Sequence, residues 1–291
     1  MRKSVFYPSL ALGLGAAAAL LRMWQRSTYD GSGLPVPFAG SSLLLAAFLG
    51  MCAGGFLFLA LRQPKFLADQ GPALPRGSLA GYLFTAAGVI VLAGGAVNLL
   101  VFSRSWLDFS QTLYAYQHER QEALQTFLSS SLMTGVAALA AVPTAAALLI
   151  QARQSKEEAG KPKPFAVMMP SIFGWLWLIK DFRQHTSNPI LWDYVLLLLA
   201  IVALLISAYE RAGFAFGVGK PRRTVFTSLS ALTLAAAALP DCGGAANALT
   251  LTALACAAYA ELSALLSALE NAPAGSEIPN SIQQEDAPHE Q

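Results

Sequence analysis

Eight apolar stretches divide this chain, at residues 5–21, 38–61, 79–102, 127–150, 165–179, 190–208, 225–239 and 246–269. About 20 apolar residues in helical conformation cross the hydrocarbon of a bilayer. Most of the 291 residues are thereby committed to spans. The expected fold is all-α: a polytopic transmembrane helix bundle of about eight spans over 1–269, followed by an acidic tail over 270–291. Only 12% of the residues are charged and 55% are hydrophobic, whereas soluble domains carry about a quarter charged residues. The polar stretches between the spans are too short to hold a folded soluble domain.

The distribution of basic residues orients the bundle. With the N-terminus inside, thirteen of the nineteen Lys and Arg fall on inside segments. These are Arg2 and Lys3; Arg62, Lys65 and Arg76; Arg153, Lys156, Lys161 and Lys163; and Arg211, Lys220, Arg222 and Arg223. The other six are Arg22, Arg26, Arg104, Arg120, Lys180 and Arg183. Cytoplasmic loops carry the excess of Lys and Arg, so both termini are expected in the cytoplasm and the protein in the cytoplasmic membrane. The first apolar run follows two basic residues, as in a signal peptide. Arg22, Trp24 and Arg26 close it in place of a small-residue cleavage site, so it is expected to remain as a helix.

Between spans 3 and 4, Trp106, Phe109, Leu113 and Tyr116 recur at helical spacing. They describe an amphipathic linker, or a short helix lying in the headgroup region. The tail from Glu270 holds five carboxylates and three prolines with no Lys or Arg. Such a composition cannot bury enough apolar area to order itself.

Small residues mark the packing seams. Gly50 and Gly54 form a GxxxG pair in span 2, and doublets occur at Gly54-Gly55 and Gly94-Gly95. Small side chains let helix backbones approach closely in lipid. The pair in span 2 therefore reads as internal bundle packing or as a homo-oligomer contact. Pro143 and Pro170 fall inside spans 4 and 5, where a missing amide hydrogen disturbs the preceding turn.

Two groups of polar residues lie at or near membrane depth. Glu261 sits inside span 8, and an ionised carboxylate there usually faces the bundle interior or water. Thr250 and Asn247 lie further up its stripe, and Asn98 lies in span 3. Together they form a candidate intramembrane polar site. The competing expectation is that span 8 ends early and leaves Glu261 at the interface. Tyr259 and Ser263 point to other sides of that helix, so any partner of Glu261 must come from another span.

The second group crowds the outer mouth: Lys180, Asp181, Arg183, His185 and Asp193. Asn188 reads as an N-cap before Pro189 at the first helical position of span 6, and Trp175, Trp177 and Trp192 as an aromatic belt. The group is a candidate solute or lipid-headgroup site, or an interfacial anchor. Span 5 is short on this reading, a feature that often marks binding regions in transporters.

Several chemistries are excluded. Cys52, Cys242 and Cys256 are scattered, without the spacing of a disulfide framework or a zinc site. His118, His185 and His289 fall outside the spans, which argues against a membrane haem. No HExxH metal motif occurs. Residues 213–220 read Gly-Phe-Ala-Phe-Gly-Val-Gly-Lys, but Pro221 follows where a phosphate loop needs Ser or Thr. No GxSxG nucleophile elbow occurs. No cofactor is expected and nucleic-acid binding has no support. Lys220, Arg222 and Arg223 are expected to orient the chain and hold anionic lipid.

At Asn188-Pro189, Asp193-Tyr194, and from Ala212 to Gly217 and Lys220 to Arg223, the chain resembles a set of uncharacterised multi-pass membrane proteins of Gram-positive anaerobes. The resemblance covers roughly the second half and implies no activity. The expected function is that of a non-enzymatic structural or accessory membrane protein, binding membrane lipids, a membrane protein partner or a second copy of itself. The alternative is a small-solute or ion carrier with Glu261 as its proton or cation site.

Overall fold

The computed structural model describes residues 2–29, 40–64, 78–115, 127–153, 164–185 and 194–271, with positions 121 and 124. The described residues form eight helices long and apolar enough to cross a membrane, and the fold is a multi-pass helix bundle. They are α1 (Lys3–Ser27), α2 (Gly40–Leu61), α3 (Leu79–Ala115), α4 (Leu132–Arg153), α5 (Pro164–His185), α6 (Val195–Ala215), α7 (Pro221–Ala238) and α8 (Ala245–Asn271). A π-helical turn, Phe127–Ser131, leads into α4, and a 3₁₀ turn, Leu239–Asp241, ends α7.

α3, α4, α5, α6, α7 and α1 follow one another in an arc, each packed on the next. α8 lies inside the arc against α3, α7, α1 and α6. Its span is 72% buried, whereas that of α2, attached outside on α1 and α7, is 22% buried. The α1 start and the α8 end meet at one end of the bundle, where the Lys3 amide donates to Glu270 Oε1 at 2.6 Å. This is called the terminal end below.

The glycines settle which seams are internal. A Cβ at Gly94 would meet Thr250 Oγ1 of α8 at 3.1 Å, and one at Gly95 would meet Ala141 Cβ of α4 at 2.6 Å. The α3 doublet therefore brings two helices onto one backbone. At Gly50, Gly54 and Gly55 a Cβ would meet nothing within 4 Å. The GxxxG pair of α2 faces outward and does not serve the internal packing expected of it.

Several expected boundaries are corrected. α5 is not short: it continues six residues past 179, because the charges of its last turns are engaged inside the protein. α3 does not stop at 102. Ser103 and Ser105 return their hydroxyls to the carbonyls of Leu100 and Val101, so the helix absorbs them and continues. At 1.5 Å per residue its 37 residues reach about 55 Å, well past a hydrocarbon core of about 30 Å. Trp106 and Phe109 are thus part of α3 and no separate surface helix. They pack on Phe127, with the Phe109 ring stacked at 4.7 Å. α6 runs seven residues past the expected end at 208, to Ala215, and residues 190–193 of its expected start lie outside the described residues. His185, expected in a loop, is the last residue of α5. Asn188, Pro189, Trp192, Asp193, Tyr116 and the tail beyond 271 lie outside the described residues.

The glycine-rich stretch after α6 is a helix terminator. Gly217 adopts φ 74°, its amide donates to the Phe214 carbonyl, and the Val218 amide donates to Gly213 at 2.9 Å. This is the Schellman pattern, which consumes the last free carbonyls of a helix. The same amides are unavailable to cradle a phosphate.

Candidate functional site

Three buried polar groups tie the helices together. The first is at the end opposite the termini. Arg22, one turn before the end of α1, directs Nε at both oxygens of Asp241, at 2.8 and 3.1 Å. Its Nη1 donates to Gln25 Oε1 and to the Tyr29 hydroxyl. Arg26 approaches the same carboxylate at 3.3 Å and donates to the Pro240 carbonyl. The Arg22 and Asp241 side chains are 2% and 0% exposed. A charge so deeply buried is tolerated only when paired and hydrogen-bonded, and this one is.

The second group centres on Asn247, in the first turn of α8. Its Oδ1 accepts from Lys180 Nζ at 2.9 Å and from Trp177 Nε1 at 3.2 Å. Its Nδ2 donates to Asp181 Oδ1 at 2.9 Å. One amide therefore satisfies a cation and an anion that are sequence neighbours but form no direct ion pair with each other among the described residues. The α8 N-terminus adds a positive dipole end beside Asp181. His185 Nδ1 lies 2.8 Å from the Asp181 carbonyl and 3.6 Å from its Oδ2. The His185 ring stacks on Tyr194 at 4.7 Å. Asp181 Oδ2 has no hydrogen-bond partner among the described residues.

Between these groups, Cys242 lies just outside the spans. Burial, and then the Asp241 and Asp181 carboxylates, push its thiol up to about 12. The thiolate is the reactive form, so Cys242 is inert at neutral pH.

The third group is near the terminal end. Glu261 of α8 is 5% exposed and lies 2.8 Å from Arg211 Nη1 of α6. The approach is that of an ion pair rather than of an aligned hydrogen bond. The Arg211 guanidinium rests 4.5 Å from the centroid of the Phe84 ring of α3, in the range of a cation–π contact. Three helices meet on this pair. One turn deeper, the buried hydroxyls of Ser207 and Ser228 join α6 to α7 at 2.8 Å.

The structure redistributes the expected site residues. Glu261, Thr250, Asn247 and Asn98 do not form one site. Along α8, Thr250 and Asn247 are about 16 and 21 Å from Glu261 at 1.5 Å per residue. Thr250 donates to its own helix at Ala246 and packs on Gly94. Asn98 is buried one turn beyond Gly94 on the same α3 face. Asn247 belongs instead with Lys180, Asp181 and His185, which the structure does bring together. Arg183 is exposed and apart from them.

The sequence reading missed Arg211, Arg22, Asp241 and Trp177 as partners. Arg211 had a signal: the apolar pattern continues past it through Ala212 and Phe214, which places it inside a helix end rather than in a loop. No protein family matches this chain, and neither a curated protein nor a solved structure is significantly similar to it.

Proposed function

We propose that this multi-pass membrane protein is a non-enzymatic structural or accessory component of the cytoplasmic membrane, with both termini inside, that binds lipid or another membrane subunit. The observation that carries the reading is the Arg211–Glu261 pair under Phe84. A coupling carboxylate must exchange its proton or cation during a cycle, whereas this one is held by an arginine that stays charged in proteins. Glu261 also lines neither the cleft between α5, α6 and α7 nor the apolar crevice beside α8. Native mass spectrometry after gentle extraction tests the reading: a stoichiometric second polypeptide or a retained lipid is expected. Uptake of a solute by the purified protein alone in liposomes would overturn it.

The alternative carrier has one observation on its side, at the opposite end of the bundle. Asp181 is fully buried with one oxygen unsatisfied, and the partly exposed His185 stands at its rim. A carrier working through Glu261 requires that Glu261→Gln abolish coupled uptake. Unchanged uptake in that variant removes the carboxylate from the mechanism.

A further inference from the structure

A cleft of about 780 Å³ opens between α5, α6 and the start of α7, near the terminal end of the bundle. Its mouth carries Lys220 and Arg223, and Glu210 stands on its wall. Lys220 and Arg223 are exposed, and no described side chain pairs with either. Neither lies within ion-pair distance of Glu210 among the described residues. Arg222, between them in sequence, is committed elsewhere, donating from Nε to the Gln63 carbonyl at 2.7 Å.

The same mouth holds the N-terminus of α7, where Lys220 is the N-cap and no side chain caps the free amides. Free amides and the dipole of a helix start favour an anion. Below the mouth the walls turn apolar and face outward: Ile172 and Trp175 are 43% and 58% exposed, and Phe216 at the rim is 53% exposed. Trp175 lies eleven residues into α5, about 16 Å at 1.5 Å per residue, roughly half the depth of a hydrocarbon core.

We propose that this cleft is the headgroup site of an aminophospholipid. The lipid phosphate sits between Lys220, Arg223 and the α7 N-terminus. The primary ammonium reaches Glu210, and one acyl chain runs down Ile172 and Trp175. The juxtaposition carries the assignment: two unpaired cations and one unpaired anion share a mouth that leads onto an outward apolar wall. A purely anionic headgroup leaves Glu210 opposed and unpaired, and a quaternary ammonium offers it no N–H donor.

The proposal deepens the lipid-binding side of the function proposed above and rests on it. The test titrates the full-length protein in detergent with phosphatidylethanolamine, phosphatidylglycerol and phosphatidylcholine, read by native mass spectrometry. The wild type is expected to retain phosphatidylethanolamine in preference to the other two. Replacing both cations, Lys220→Gln with Arg223→Gln, should weaken its binding about thirtyfold, since each basic residue near a lipid phosphate contributes about fivefold. Glu210→Gln should erase the preference for phosphatidylethanolamine over phosphatidylglycerol while leaving phosphatidylglycerol bound.

All three residues lie at the surface of the cleft, and unchanged thermal unfolding of each variant verifies its fold. Equal binding of the three lipids by the wild type overturns the proposal, as does undiminished binding by the double variant. So does equally tight binding of glycerophosphoethanolamine, which has no acyl chains and would make the site one for a soluble headgroup. Solute transport by the wild type in liposomes sinks the parent reading instead, and a lipid titration alone cannot produce that result.

Discussion

Glu261 needs Arg211 more than the fold needs either. Taking two charges out of water costs several kcal/mol each, which their attraction repays only while both are present. Glu261→Gln is therefore expected to destabilise the bundle by about 3–5 kcal/mol, because Arg211 remains buried without an anion. The double replacement Arg211→Met with Glu261→Leu should recover most of that loss, measured as thermal unfolding in detergent. A double variant no more stable than Glu261→Gln would mean the pair is not the coupled unit described. Cys242 yields a second prediction at this scale. With Cys52 and Cys256 replaced by Ala, iodoacetamide at pH 8.5 should label the unfolded chain and spare the folded one. Its thiol is raised from 9.0 to about 12, so the folded state holds the proton more tightly. The resulting stability is fully present below pH 9 and falls away as pH rises toward 12. Fast labelling of the folded protein at pH 8.5 would contradict the burial. That Glu261 must look to another helix was legible because Tyr259 and Ser263 point to other sides of its own. Which helix was not, because a contact across fifty residues leaves no trace in periodicity.

Among the helices, the two glycine patterns behave differently although their sequences look alike. Gly95→Ala should cost about 1–3 kcal/mol, the range for overpacking a filled contact, since the new methyl would stand 2.6 Å from Ala141 Cβ. Gly54→Ala should leave monomer stability unchanged, because its site is open. Chemical or thermal denaturation in one detergent compares the two, and equal losses would remove α3 from its place between α4 and α8. At the end of α6, Gly217→Ala should cost about 1–2 kcal/mol, the price of a left-handed conformation for a residue with a Cβ. All eight helices were legible as apolar runs. Their ends were harder to read wherever charged residues remain helical: the last turns of α5 read as loop because Lys180, Asp181 and His185 are polar, and Asn247, 66 residues beyond Asp181, supplies the partner that lets Lys180 and Asp181 stay. The end of α6 was misplaced for a related reason, since Glu210 and Arg211 are charged and yet remain helical as far as Ala215.

For the molecule as a whole, α8 is the organising element. It is the most buried span, and the arc of α3, α4, α5, α6, α7 and α1 curves around it. The sequence shows α8 as one apolar run among eight, since burial among protein and burial in lipid both select apolar residues. The polar residues that distinguish it, Asn247, Thr250 and Glu261, were visible but read as one site, when they meet different neighbours along its length. Asn247→Leu should loosen α5 from α8 by removing the acceptor shared by Trp177 and Lys180 and the donor to Asp181. Loss of protection from hydrogen exchange confined to the ends of α5 and α8 is expected, and an unchanged pattern would count against the Asn247 hub.

The α7–α8 hairpin carries Asp241 to the arginine of α1 and Asn247 to the lysine and aspartate of α5. Ribosomes make a chain from its N-terminus, so Arg22, Lys180 and Asp181 enter the membrane well before the groups that satisfy them exist. During synthesis the earlier helices are an incomplete assembly with exposed charge, and the final hairpin converts it into a finished one. A nascent chain interrupted after α6 would hold Arg22, Lys180 and Asp181 without Asp241 and Asn247. Two residues at the tip of one late hairpin thus complete the pairing of three charges placed in earlier helices.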